Sequence, residues 1–354
     1  MSMLLDGTQG IDFNDGSNQS TAATPYARKN LIINGDMRID QRNAGASVSV
    51  ANTGLYTVDR WRASNGTSTA TVQQSSTAPT GFSNSLLWTV STTDNTANQS
   101  HCLQHRIEGY NTAHLNLGTA NAETVTLSFW VRSSLTGTYG IGINNSAENR
   151  SYVATYTISS ADTWEQKTIT FTNDTSGTWV GSTNGIGILI NFDLGSGSDF
   201  NGTADTWQSG NYRRTSGCVN LANTSGATFY ITGCQLEIND SASDFEFVPY
   251  DMELAKCQRY YYQVNSYGFI NMTTNVYNGT IVKFPVSMRA TPTCTLYSTT
   301  TGTSGKIYYQ DGATDVNAAA SPASGKEATF ARVSNVSTNT GSNMFFKITA
   351  SSEL

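Results

Sequence analysis

Between Glu123 and Arg132 the side chains alternate in character. Val125, Leu127, Phe129 and Val131 are apolar, Thr124, Thr126, Ser128 and Arg132 are polar, and Trp130 falls on the polar face. A period of two sends successive side chains to opposite sides of an extended chain, so this segment buries one face as a strand; a helix would scatter the same residues around its circumference. Strand-like segments recur at 86–90, 139–143, 151–158, 164–171, 186–192 and 228–238, with turn-rich connectors such as 173–177 and 195–198 between them. Many short strands joined by Gly- and Asn-rich turns predict an all-β fold, an antiparallel jelly-roll sandwich spanning residues 31–250.

Composition excludes the competing classes. Charged residues are only 13% of the 354, while aromatics reach 10%, and Ser, Thr and Asn make up about a third. A disordered chain lacks such aromatics, and a transmembrane helix needs ~20 consecutive apolar residues, which no run approaches. The net charge of −6 with no basic block leaves nucleic acid without an electrostatic footing. The start of the chain has neither the positive flank nor the apolar core of a signal peptide, so the expectation is a product made in a cytoplasm that stays there or leaves within a larger particle. Five cysteines without a C-x-x-C pair read as reduced, buried thiols.

Residues 1–30 carry few large apolar side chains, and Ile11-Asp12-Phe13 alternates like a short strand that needs a partner. Asp251 is placed to cap a helix over 252–262, in which Leu254, Cys257 and Tyr261 recur at spacings of three and four. Beyond it, strand-like segments at 267–270, 280–286, 294–297, 306–309, 329–333 and 344–350 predict that 251–354 is this helix plus a smaller β domain, one that association with other copies would support.

Three stretches, in this order, carry a resemblance. The first runs from Asn30-Leu31-Ile32-Ile33-Asn34-Gly35-Asp36 through Gln41-Arg42 to Asp59-Arg60-Trp61. The second is Leu127-Ser128-Phe129-Trp130-Val131-Arg132, with Thr163-Trp164 after it. The third is Phe229-Tyr230-Ile231-Thr232-Gly233-Cys234-Gln235-Leu236-Glu237, followed by Phe245-Glu246 and 253–261. Together they resemble a module of tail-fibre and related virion proteins of tailed bacteriophages, and the opening strand is similar to that of jelly-roll carbohydrate-binding modules. The resemblance implies a virion protein, assembled in the cytoplasm of the host bacterium, with a structural or receptor-binding role. The expected partners are other copies in a homotrimer, other virion proteins through residues 1–30 (Ile11 and Phe13 as the attachment residues), and a host cell-surface glycan. No nucleic acid and no membrane insertion is expected. The rival readings are a head decoration, head fibre or adaptor with a purely structural role, and a polysaccharide depolymerase tailspike.

For function, binding outranks catalysis. His101 and His105 on a strand stand about 13 Å apart, too far for one metal, and neither a nucleophile elbow nor a phosphate-binding loop occurs. Neutral glycans are held by aromatic faces with hydroxyl and amide hydrogen bonds. The candidate ligand-binding residues are therefore Trp130 with Arg132 on the non-core face of their strand, and Trp179 and Trp207 in polar loop sequence. Trp61 and Trp164 are read as framework, and Asp59 with Arg60 as an ion pair or cap. No cofactor is expected beyond a structural calcium of the kind jelly-roll modules often carry, with Asp193 and Asp199 as its candidate ligands.

Overall fold

The computed structural model describes residues 4–6, 10–12, 18–19, 29–51, 54–270, 278–310, 314–320, 325–333 and 342–354. Two antiparallel sheets pack face to face as a jelly-roll sandwich. One runs, edge to edge, Glu165–Phe171, Val125–Ser133, Thr228–Ile238, Ser85–Thr92, Thr69–Ser75 and Val48–Ala51. The other runs Trp207–Ser209, Arg150–Ile158, Gly137–Asn144, Ile186–Asp193, Cys102–Glu108, Trp61–Ser64 and Gly54–Tyr56. Val125, Leu127, Phe129 and Val131 point between the sheets and are buried, as their alternation requires. The ring of Phe129 meets Phe192 and Tyr156 of the facing sheet edge-on, with centroids 5.2 and 5.1 Å away, and Trp61 and Trp88 are fully buried in the same core. Edge-to-face packing suits the ring quadrupoles, so these aromatics fix the sheet spacing as well as fill it.

The Asn30-to-Gly35 stretch works as a lock. Asn30 Oδ1 accepts from the Ile32 and Leu236 amides, and its Nδ2 donates to the Cys234 carbonyl at 3.1 Å. Asn34 adopts a left-handed φ of 58°, and its side chain donates to the Ile39 and Asp59 carbonyls at 2.8 and 2.9 Å. The Asn34 carbonyl in turn accepts from the Trp61 indole N–H at 3.0 Å. Gly35 passes so close to the strand Thr228–Ile238 that a Cβ there would lie 2.1 Å from the Cys234 oxygen.

The single α-helix among the described residues, Tyr250–Gln258, is shorter than expected and starts on Pro249 rather than Asp251. Asp251 lies inside the first turn, where a carboxylate suits the helix dipole without capping. The expected extension to residue 262 is corrected because tertiary partners claim those residues. Tyr260 is buried against the Arg60 guanidinium, 3.6 Å from its ring centre, and Tyr261 opens the strand Tyr261–Ile270, paired with Ser342–Ser351. The C-terminal sheet continues through Lys306–Tyr309, Thr314–Ala320, Ala328–Val333 and Asn278–Lys283, with Thr293–Ser298 also paired to Ser342–Ser351. It has its own apolar cluster around Leu296, Ile307, Phe346 and Ile348.

Buried charge joins this sheet to the sandwich. Asp59 and Arg60 do not pair with each other. Arg60 sits in a tight turn at φ 71°, Asp59 accepts from Arg42 at 3.2 Å, and the Arg60 guanidinium meets Glu353. Arg42 also reaches Glu353 at 2.8 Å, and Arg259 grips Glu108 with two hydrogen bonds of 2.6 and 3.0 Å. Burial is the largest influence and works against the Arg60 charge, and the Glu353 carboxylate together with Tyr260 and Tyr56 outweighs it and holds the pKa up.

At the other end of the chain, Gly10–Asp12 pairs with Leu4–Asp6 and Asn18–Gln19 in a small sheet, which places Ile11 on its middle strand. Phe13 lies outside the described residues. Among those residues no helix is long and apolar enough to cross a membrane.

Gly35→Ala tests the lock. The added methyl must push backbone aside, so urea unfolding should show a loss of about 1–3 kcal/mol, the usual cost of overpacking. Unchanged stability would mean that the close approach does not hold the stretch in place.

Candidate functional site

The structure brings two of the four candidate residues together. Trp207 opens the edge strand Trp207–Ser209, opposite Tyr152, and Trp179 projects from the connector before Ile186–Asp193. Their rings meet edge-on at 5.5 Å, and Trp207 also meets Tyr152 at 5.2 Å. Both indoles are half-buried, with one side packed on the core. Both indole N–H groups are occupied: Trp207 Nε1 donates to the Thr172 carbonyl at 2.7 Å, and Trp179 Nε1 to Asp174 Oδ2 at 3.1 Å. Asp174 is itself buried and gripped by Arg150 through bonds of 2.6 and 3.0 Å. The pair is thus an aromatic ledge fixed from behind, whose remaining surface is ring face and edge.

Trp130 and Arg132 lie elsewhere, on the outer face of the six-stranded sheet. Arg132 donates to the Asp162 carbonyl at 2.9 Å and stands over the Tyr230 ring at 5.0 Å, and Tyr230 meets Trp164 at 6.0 Å. Trp130 is half-buried at a register shift, beside Gly233, whose φ of +61° and closeness to the Phe82 ring leave no room for a side chain. This second aromatic group belongs to a different sheet from the ledge.

The outer face of the seven-stranded sheet carries a chain of polar side chains that sequence reading missed. Gln104 donates to Asn191 at 2.7 Å, Asn191 to Asn144 at 2.8 Å, and Asn144 to Asn211 at 3.3 Å. Residues 212–214 lie over this face, and they fit because Gly140 and Gly142 lack side chains: a Cβ at either would come within 2.7 Å of a carbonyl oxygen in that segment. Gly140 and Gly142 alternating with Tyr139, Ile141 and Ile143 was the available signal, since glycine inside a strand marks a close backbone approach. Gln104, Asn191 and Asn144 are buried, so the network closes the sheet rather than offering a ligand surface.

The remaining sequence candidates are spent on structure. Asp193 is fully buried, faces Arg214 at 3.4 Å and accepts from the Gly195 and Ser196 amides, whereas Asp199 is exposed in a single 3₁₀ turn. A guanidinium already supplies the counter-charge to Asp193, so the two aspartates do not fit a shared calcium. Among the described residues no group of three or more His, Cys, Asp and Glu side chains could hold a metal ion. Asp36 and Glu253 share a pocket of only about 10 Å³, and Arg38, Lys256 and the Asn34 amide occupy their oxygens, which leaves no space for a sugar ring between them. All five thiols are free, and burial raises those of Cys234 and Cys257 far above their ordinary value.

No family model matches the chain, and no curated protein matches it. Solved structures that it resembles include a family 4 carbohydrate-binding module, at 15% identity and a TM-score of 0.31 over 59% of this chain and 99% of that one. Another is the xylan-binding CBM22-1 domain of Paenibacillus barcinonensis Xyn10C, at 12% identity and a TM-score of 0.28 over 56% of this chain and 99% of that one. A third is the enzymatically active domain of bacteriophage CBA120 tailspike protein 4, at 13% identity and a TM-score of 0.31; 59% of this chain aligns, and it spans only 21% of the tailspike chain. The fold assignment rests on the sheets described above.

Two buried groups give the fold a pH dependence of opposite sign. Burial, aided by Arg60, lowers the His105 pKa from 6.5 to about 3. Between those values the unfolded chain binds a proton that the folded chain refuses, so stability falls as pH drops, by up to about 1.4 kcal/mol per pH unit. Burial raises Asp59 from 3.8 to about 6, so its contribution to stability falls as pH rises through that window. Unfolding measured from pH 7 to 4 should therefore fall less steeply in His105→Gln than in the wild type. Parallel curves would show that His105 is not held neutral.

Proposed function

We propose that the chain is a structural component of a tailed-phage virion, a tail-fibre or receptor-binding protein that adsorbs to the bacterial surface through glycans without cleaving them. The observation that carries the glycan reading is the Trp179–Trp207 ledge. Its indoles are prevented from turning by Thr172, Asp174 and Arg150, so little side-chain freedom is lost when a sugar stacks on it. The virion reading rests on the three ordered sequence stretches. They meet in the fold: Asn30 bonds to the strand Thr228–Ile238, which pairs with Val125–Ser133. They build the six-stranded sheet and the lock on it, while the ledge stands at the edge of the facing sheet.

In this reading residues 1–30, with Ile11 and Phe13, attach the chain to the particle, 31–250 presents the ledge, and 251–354 forms a distal β unit in a homotrimer. Three linked weak sites raise avidity by roughly 10²–10⁴ without a tight single site. A purely structural role in the head or an adaptor is the second reading. The observation favouring it is a surface cluster of Phe82, Phe245 and Phe247, with ring centroids 4.9–5.3 Å apart, where Phe247 is 58% exposed. Exposed aromatic clusters of this kind mark protein contacts.

Purified protein should bind host cells and block phage adsorption. Trp207→Ala should keep the fold and weaken that binding roughly tenfold, the equivalent of about 1.4 kcal/mol. Failure to bind cells, together with a position on the capsid surface of the particle, would favour the structural reading. Release of reducing ends from host glycan would replace adsorption with depolymerisation.

A further inference from the structure

We infer that the chain has a second saccharide site, selective for acidic sugars, in the cleft between the sandwich and the C-terminal sheet. The inference rests on the glycan-adsorption reading and names a class of glycan for it.

The cleft has a volume of about 410 Å³, within the ~300–1,000 Å³ typical of small-molecule sites. It forms where the edge strand Gly54–Tyr56 faces Thr293–Ser298 and Ser342–Ser351, and its walls include the rings of Tyr56, Tyr261 and Tyr297. Arg42 and Lys347 also line it, and among the described residues no carboxylate does, although the chain as a whole carries a net charge of −6. The two cations differ in what they can still do. Arg42 lies 3.7 Å from the Tyr261 ring centre and is already shared between Asp59 and Glu353, so its charge is neutralised within the fold. Lys347 stands 5.2 Å from the Tyr297 ring centre, and among the described residues no Asp or Glu pairs with it.

An ammonium beside a tyrosine face, in a partly enclosed cleft, is a point charge waiting for an anion. The neighbouring groups select the kind. The half-buried Tyr56 and Tyr297 rings offer stacking surface to C–H faces, Tyr261 being buried under Arg42, while the Asn43 amide and the Thr349 and Ser351 hydroxyls offer hydrogen bonds to a polyol. One uncompensated ammonium matches one negative charge, that of a carboxylate, better than the roughly −1.5 to −2 of a phosphomonoester. The ligand that satisfies all three features is a uronic-acid-type residue of a surface polysaccharide.

The test uses the full chain and a pair of probes, oligogalacturonate and its methyl ester, in which each carboxylate is replaced by an uncharged ester; the salt dependence isolates the part due to charge. Titration calorimetry should show the acid form bound roughly two- to fivefold more tightly at low salt, with the preference lost in 0.5 M salt. Lys347→Gln, checked for folding by circular dichroism, should remove the preference and leave the ester and the host-cell binding of the Trp179–Trp207 ledge unchanged. Equal binding of acid and ester, or a preference that survives Lys347→Gln, would overturn the inference while leaving adsorption through the ledge intact. No binding of either probe, together with no binding of host cells, would overturn both.

Discussion

The buried guanidinium of Arg60 is the constraint on which the rest of the molecule depends. It is 1% exposed, lies over the Tyr260 ring, donates to the Arg106 carbonyl and meets Glu353, next to the last residue described. A charge this deep is tolerable only when paired and hydrogen-bonded. Its partners come from three distant parts of the chain, so forming the pair brings those parts together. Docking Tyr260 onto Arg60 ends the helix. Placing Glu353 fixes the last strand of the C-terminal sheet against the turn at 58–61. The cleft lined by Tyr56, Tyr261 and Tyr297 then follows as the space left between two bodies held at one edge.

What sequence could and could not reveal divides along the same line. The strand series was legible because period-two alternation is local, and Val125 to Val131 needs only its own neighbours to declare which face is inside. The strand Cys102–Glu108 was legible for the same reason. The strands Val48–Ala51, Gly54–Tyr56 and Trp61–Ser64 were missed because three or four residues are too few to establish a period, and Thr69–Ser75 because only Ala70 and Val72 mark its inner face. The helix end was missed because local spacing favoured continuing it, and a strand nearly 90 residues later in the chain outbid that preference. Asp59 and Arg60 suggested a pair by adjacency, but the positive φ at Arg60 turns the two side chains to different partners.

The candidate site was legible in kind and not in arrangement. Trp179 and Trp207 stood out as aromatics in polar surroundings, yet nothing local says that they touch each other or that Asp174 holds one of them. Trp130 was correctly assigned to the face away from the core, but it belongs to another sheet and another group. The abundance of Ser, Thr and Asn also has a use that composition does not disclose. Part of it is internal: Gln104, Asn191 and Asn144 seal one sheet face beneath residues 212–214. A low charge fraction therefore means that hydroxyls and amides close interior faces in addition to covering the surface.

The central claim, that buried Arg60–Glu353 pairing fastens the C-terminal sheet to the sandwich and shapes the cleft between them, is tested most directly by urea unfolding of Glu353→Gln. Removing one partner leaves Arg60 buried without its counter-charge, and a loss of about 3–5 kcal/mol is predicted. A change of no more than about 0.5 kcal/mol, the size expected for a surface substitution, would contradict it.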